Sequence, residues 1–187
     1  YKKITEKTAT VKFRSKKEKE TYFLAWTTTP WTLIGNVALA INEKLDYVKI
    51  KINNEFLILA KDRLKEIKEN YELVENFKGK KLIHKEYEPL YHHISDKKAH
   101  YIINGGDEVT AEEGTGIVHM ALYGEFDYEM IKKYDLPVIQ HVGKHGKLTT
   151  CPKEWKDLWF KDADKKVLED LEKRNLLQTV HNHTHDY

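Results

Sequence analysis

Three threonines in a row, Thr27-Thr28-Thr29, stand between Trp26 and the run Pro30-Trp31-Thr32-Leu33. No other stretch limits the fold so strongly. Each threonine is β-branched and stiff about χ1, and Pro30 turns Thr29 toward an extended conformation. The apolar run Tyr22-Phe23-Leu24-Ala25-Trp26 leads into them and reads as a buried strand, and a bend at Gly35-Asn36 follows. The strand therefore ends in a rigid, hydroxyl-rich corner that can hold a polar ligand or a water in fixed geometry. The rest of the chain is expected to build a pocket around it.

Periodicity supplies the frame. Residues 8–14 alternate as a half-buried strand does, residues 16–20 form a charged turn, and residues 21–28 return as its hairpin partner. Residues 37–41 read as buried. A second hairpin is expected over 46–52 and 55–60, about Asn53-Asn54, a pair that tolerates positive φ. A short helix is expected over 61–70 with Leu64 and Ile67 inward. Strands follow over 71–77, 81–90, 101–104, 107–110, 116–120 and 136–142, with a polar, histidine-bearing loop over 91–100. Helices are expected over 124–134 and, most clearly, over 162–175, where Ala163, Val167, Leu168 and Leu171 recur at helical spacing. A last strand covers 176–180. The expected class is α+β: a curved mixed sheet or β-barrel core with about three peripheral helices, in a single domain of 187 residues.

Composition excludes more than it identifies. Apolar residues make up 40% and charged residues 33%, and no apolar run approaches the roughly 18–20 residues of a membrane span. The formal net charge of +2 is too small to announce nucleic-acid binding; the lysine runs at 61–68, 78–85 and 165–173 read as solvated faces, any of which could touch RNA phosphates. The opening Tyr1-Lys2-Lys3 shows no cleavable signal pattern and suits a piece of a longer chain. One cysteine, Cys151, excludes an internal disulfide and fits a reducing compartment, in keeping with a cytoplasmic location. Cys151 has no motif around it that would make it a catalytic thiol. His181, His183 and His185 alternate, so they share one face of an extended segment, but they lack the partners of a diagnostic metal site. Neither a phosphate-binding Gly-Lys-Ser/Thr loop nor a Gly-x-Ser-x-Gly elbow occurs.

A second region stands out from Gly114 to Tyr128. A strand carries His119, a glycine-containing turn follows, and a helix opens with Asp127 in its first turn, where the helix dipole favours an ionised acid. Two readings are open. Asp127 is a helix-start residue and His119 a satisfied core histidine, or the two face a cleft in which an ionised carboxylate suits a ligand ammonium.

The run Ala25 to Leu33, followed by Asn36-Val37-Ala38, resembles the threonine-rich segment of the editing domain of isoleucyl-tRNA synthetases. The related valyl and leucyl enzymes carry Arg at the place of Thr29 and an acid at the place of Trp31. The resemblance continues through Gly79, Tyr87-Glu88-Pro89-Leu90, Asp107 to His119, Gly124 with Asp127-Tyr128, Lys161 to Asp164, and the closing His185-Asp186-Tyr187. Two departures occur. Leu122 stands where the family has Pro in a loop that is one residue longer there, and Ile34-Gly35 replaces a Pro-small pair.

The resemblance implies the editing-domain fold and hydrolysis of valine mischarged onto tRNA(Ile) by direct water attack on the ester. It implies that Thr27, Thr28 and Thr29 border the terminal ribose and position the water, and that Asp127 pairs with the α-ammonium. His119 would limit side-chain size, with Trp26, Thr32, Asn36, Gly116 and Tyr128 as further substrate-binding residues. Gly114 and Gly116 would let the backbone approach the ligand closely. No metal or other cofactor is implied for editing. ATP and Mg serve only the parent synthetase, whose His-Ile-Gly-His and Lys-Met-Ser-Lys-Ser sequences are absent here. The implied partners are the 3′ end of tRNA(Ile) carrying valine and the remainder of the parent synthetase. The domain is expected to be monomeric and to grip tRNA weakly and salt-sensitively. The alternative is a barrel that holds a tRNA 3′ end without hydrolysing it.

Overall fold

In the computed structural model, which describes residues 3–150 and 152–186, the threonine corner joins two sheets. The larger sheet has the order β6-β4-β5-β2-β1-β9. Its strands are β1 (Lys3–Arg14), β2 (Thr21–Thr27), β4 (Asp46–Ile52), β5 (Glu55–Ala60), β6 (Glu72–Lys78) and β9 (Leu177–Asp186). The smaller sheet, β7-β3-β8, contains β3 (Ala38–Ile41), β7 (Ile102–Asn104) and β8 (Val118–Met120). The α-helices among the described residues are α1 (Glu125–Lys133) and α2 (Ala163–Lys173).

β2 is apolar from Tyr22 to Trp26 because both its faces are covered, and a strand buried on two faces loses the polar alternation. Tyr22 and Leu24 pack with Val48, Ile50, Leu57 and Leu59 on one side. Phe23 and Ala25 join the main core of Val11, Phe13, Leu33, Leu39, Tyr87 and the apolar stripe of α2 on the other. β2 pairs antiparallel with β1, Phe13 opposite Phe23 and Ala9 opposite Thr27, and parallel with β5. The antiparallel register delivers Thr27 to the sheet's end. In the smaller sheet His119 lies opposite Leu39, so β8 faces the same corner. α1 covers that sheet through Met130 and Ile131.

Both hairpins form as expected, and Asn53 takes φ 54° at the second turn. The helices at 124–134 and 162–175 form with Met130 and Ile131, and Ala163, Val167, Leu168 and Leu171, on their buried sides. Four segments differ. Residues 61–70 give only a short 3₁₀ helix (Lys61–Glu66), since two apolar side chains do not offset the cost of nucleating an α-helix. Leu64 and Ile67 still pack inward. Residues 81–90 make only isolated bridges, Ser15 to Tyr87 and Glu86 to Tyr101, and His84 at φ 71° breaks any strand. Residues 107–110 are taken up by a 3₁₀ turn (Gly106–Glu108) and an irregular stretch. Residues 136–142 find no strand partner beyond the bridge from Val142 to Leu148. β6 and β9 are the two edges of the larger sheet, so the sheets are mixed and no closed barrel is formed by the described residues.

Candidate functional site

Thr27, Thr28 and Thr29 do three different jobs. Thr27 is buried, and its Oγ1 accepts the backbone N–H of Thr29 at 3.0 Å, which bends the chain off the end of β2. Pro30 then starts a 3₁₀ turn (Pro30–Gly35). The next N–H of that turn, from Trp31, is satisfied from 133 residues away by Oδ1 of Asp164 at 2.7 Å. Thr29 Oγ1 lies 3.3 Å from Thr32 Oγ1, and Thr32 donates to the carbonyl of Thr29 at 2.8 Å. Thr28 is half-buried, and its hydroxyl has no side-chain or backbone partner among the described residues.

These residues line a cavity of about 530 Å³ between the two sheets. Trp26, Thr27, Thr28, Thr29 and Thr32 form one side; Gly116, His119 and Asp127 form another. Eight of the ten residues singled out from the sequence therefore meet in one place. Asn36 does not line the cavity: it is buried behind His119, with Nδ2 2.9 Å from the ring's Nδ1. Tyr128 does not line it either. One residue along α1 from Asp127 is a turn of about 100°, and Tyr128 is half-exposed with the Lys132 ammonium over its ring.

His119 is held neutral. Burial, with His141 nearby, pulls its pKa down to about 3. Both ring nitrogens are engaged, Nδ1 by Asn36 and Nε2 by Thr32 Oγ1 at 2.9 Å. Such a ring is a wall and a hydrogen-bond relay, and it has no free nitrogen with which to deprotonate water. Asp127 sits in the first turn of α1 and accepts the N–H of Ala121 at 3.0 Å. The helix start does not dominate its titration as the sequence suggested. Burial pushes the carboxyl above its ordinary value, and the N–H groups of Ala121 and of Asp127 itself oppose that. A desolvated carboxylate of this kind gains from a cationic partner. A Cβ on Gly124 would lie 2.4 Å from its Oδ2, so glycine there leaves the carboxylate room.

Gly114 and Gly116 both line the cavity, and their lack of a side chain has a further use in the protein's own packing. They sit at φ +67° and +75°, and the space a side chain would take is filled by protein: Trp26 at 3.3 Å from a Cβ on Gly114, Ala60 at 2.4 Å from one on Gly116. Their loop is pinned on three sides. Arg63, largely buried, donates to the carbonyls of Gly114 (3.0 Å) and Glu112 (2.9 Å). Thr115 donates to Leu24 O at 2.6 Å, and Tyr47 donates to Gly116 O at 2.6 Å.

Sequence reasoning passed over several residues that shape the site. His141 is fully buried; Nε2 donates to the carbonyl of Trp31 at 2.9 Å and Nδ1 accepts from the Tyr123 hydroxyl at 2.9 Å. Tyr123 itself lines the cavity. His93 and His100, in the segment read as a polar loop, donate to the carbonyls of Ile34 and Asn36. No local pattern marks these histidines, because their partners are backbone carbonyls brought near by the fold. Among the described residues no group of three or more His, Cys, Asp or Glu side chains is placed to hold a metal ion. Cys151 and the side chains of His183 and His185, weighed above for thiol chemistry and metal, lie outside the described residues.

No family model matches the chain. Along its whole length it is 50% identical to an isoleucine–tRNA ligase of Clostridium acetobutylicum and 48% identical to that of Clostridium novyi. It is 35% identical, again over the whole chain, to that of Sulfolobus acidocaldarius. The chain spans about 18% of the length of the first two relatives. Among solved structures, a leucyl-tRNA synthetase CP1 domain superposes with a TM-score of 0.74 at 12% identity, over 95% of this chain and 99% of that one. The editing domain of the P. falciparum cytosolic leucyl-tRNA synthetase does so with 0.69 at 13% identity, over 94% and 99%. The sequence thus matches one segment of isoleucine–tRNA ligases, and the fold is that of the synthetase editing domains.

Proposed function

We propose that this chain, similar end to end to one segment of isoleucine–tRNA ligases and folded as a synthetase editing domain, hydrolyses the ester of valine mischarged onto tRNA(Ile). The observation that carries the reading is the meeting of Thr28, His119 and Asp127 in one cavity of about 530 Å³. The need for such a site is energetic. Isoleucyl enzymes are themselves the standard illustration that one methylene is worth only about 1–3 kcal/mol in binding, so that a second, smaller pocket must remove valine.

In this reading Asp127 takes the α-ammonium in a charge-assisted hydrogen bond. That separates an aminoacyl ester from an uncharged acyl group. His119 closes the cavity against the larger side chain. Thr28, the one hydroxyl of the corner without a partner among the described residues, holds the terminal ribose or the attacking water. Water attacks the ester carbonyl carbon, the acyl C–O bond breaks, and the ribose oxygen takes up the proton that water loses. With His119 neutral and engaged at both nitrogens, catalysis rests on orientation and on fixed hydrogen-bond donors. The segment works with the rest of the parent synthetase, which supplies most of the grip on tRNA.

The test is deacylation of Val-tRNA(Ile) and Ile-tRNA(Ile) by the protein and by Asp127→Ala and His119→Ala. Valine is expected to be released selectively. Asp127→Ala should lose roughly 100-fold in rate with the fold intact, the scale of a lost charged hydrogen bond. His119→Ala should admit isoleucine. An Asp127→Ala protein as fast as the parent defeats this reading. Protection of Val-tRNA(Ile) without turnover would leave a binding module.

A further inference from the structure

Behind the cavity runs a chain of hydrogen bonds with one permitted direction. Tyr87 is fully buried, and its hydroxyl lies 2.5 Å from Oδ1 of Asn36. A carboxamide oxygen only accepts, so the phenol donates. The amide is oriented from its nitrogen side as well. Its Nδ2 donates to the carbonyl of Ala38 at 3.0 Å, and a reversed amide would set two acceptors against each other there. The same Nδ2 lies 2.9 Å from Nδ1 of His119, which must then be the ring's acceptor. The ring proton therefore sits on Nε2 and is donated to Thr32 Oγ1 at 2.9 Å. Thr32, having accepted, donates to the carbonyl of Thr29 at 2.8 Å. The polarity set at Asn36, by the Ala38 carbonyl on its nitrogen and Tyr87 on its oxygen, ends in the threonine corner.

We propose that Tyr87 is a positioning residue of the site: from behind the cavity it completes, with the carbonyl of Ala38, the hold on Asn36 in the orientation that makes His119 an Nε2–H tautomer and, through Thr32, sets the corner presented to the ester. The inference rests on the functional reading above for its consequence in selectivity, though not for its geometry. Tyr87 never touches the cavity. Its ring packs edge-on against Phe13 at 5.3 Å and His100 at 5.8 Å between centroids, a role a phenylalanine ring would also fill. The hydroxyl is what a packing role does not need. Buried deep in the core, it is held well above the ordinary phenol pKa and stays a donor at any working pH. Without it Asn36 Oδ1 loses its partner in a buried place, and the amide has less reason to keep its nitrogen on His119.

The experiment is Tyr87→Phe, with Phe13→Leu as a control that disturbs packing on the same ring and leaves the hydroxyl in place. Long-range proton–nitrogen NMR of histidine-labelled protein reads the tautomer of His119. Deacylation of matched Val- and Ile-charged tRNA(Ile) reads selectivity. The parent and Phe13→Leu are expected to show the Nε2–H pattern for His119. Tyr87→Phe should show mixed tautomers and lose about tenfold in the preference for valine, about 1.4 kcal/mol. An unchanged tautomer and preference in Tyr87→Phe, or an equal change in Phe13→Leu, overturns the proposal. Should the parent hydrolyse neither ester, the functional reading falls, and the tautomer comparison still decides the part played by Tyr87.

Discussion

Asp164 Oδ1 lies 2.7 Å from the backbone nitrogen of Trp31 and so ties the start of α2 to the threonine corner. The carboxyl titrates near 6. Burial raises it from 3.8, and the N–H of Trp31 only partly opposes that. A folded-state pKa above the unfolded value means that the native protein binds the proton more tightly. Its contribution to stability is therefore fullest below 3.8 and is lost as pH rises through about 6. Asp164→Asn keeps an acceptor for Trp31 and removes the titration. Relative to this variant, the parent should become progressively less stable across that window, read as the difference in urea midpoint at several pH values. A difference that stays constant with pH would show that Asp164 does not titrate there.

The departure at Gly35 has a structural cause. A Cβ built on it would lie 2.6 Å from Nδ1 and 2.9 Å from Cε1 of His141, whose ring is fully buried and bonded at both nitrogens. Gly35→Ala should destabilise the protein by about 1–3 kcal/mol, the usual cost of overpacking. His141→Ala should be costly alone, since it strands Tyr123 and the Trp31 carbonyl. The double variant should cost less than the sum, because removing the His141 ring removes the clash that the new Cβ meets. Strict additivity in chemical denaturation would separate the two residues.

Thr28 and Thr32 should divide function from stability. Among the described residues the Thr28 hydroxyl has no partner, so Thr28→Val should leave the stability within about 0.5 kcal/mol of the parent and slow deacylation. Thr32 links His119 to the carbonyl of Thr29. Thr32→Val should cost about 1–3 kcal/mol through unpaired buried groups. Denaturation and deacylation measured on the same samples check both halves, and a Thr28→Val protein of full activity removes its hydroxyl from the site.

The corner was legible because its cause is local. β-branching, a proline and an apolar run need no distant partner to make a strand end in a stiff turn, and α2 announced itself by its own repeat. The segments that misread as strands, 81–90 and 136–142, are extended and partly buried, so they carry the composition of strands. What distinguishes them is the positive φ of His84, which leaves 81–90 only isolated bridges, and for 136–142 the want of a strand to pair with; neither is written in a local window. The same holds for residues 61–66, whose inward leucine was read correctly while its helix was not.

Residue chemistry and order along the chain determined which groups are available: hydroxyls from Thr27 to Thr29, an imidazole at 119, a carboxylate at 127. The tertiary structure decided what state those groups are in. Burial set Asp127 and Asp164 high and His119 low, and the partner on each ring nitrogen set which one carries the proton. Tyr87, Arg63 and His141 matter to the site through hydrogen bonds to atoms as far as 110 residues away. Such bonds depend on distance and direction in space, and neither quantity exists until the two sheets have closed around the cavity.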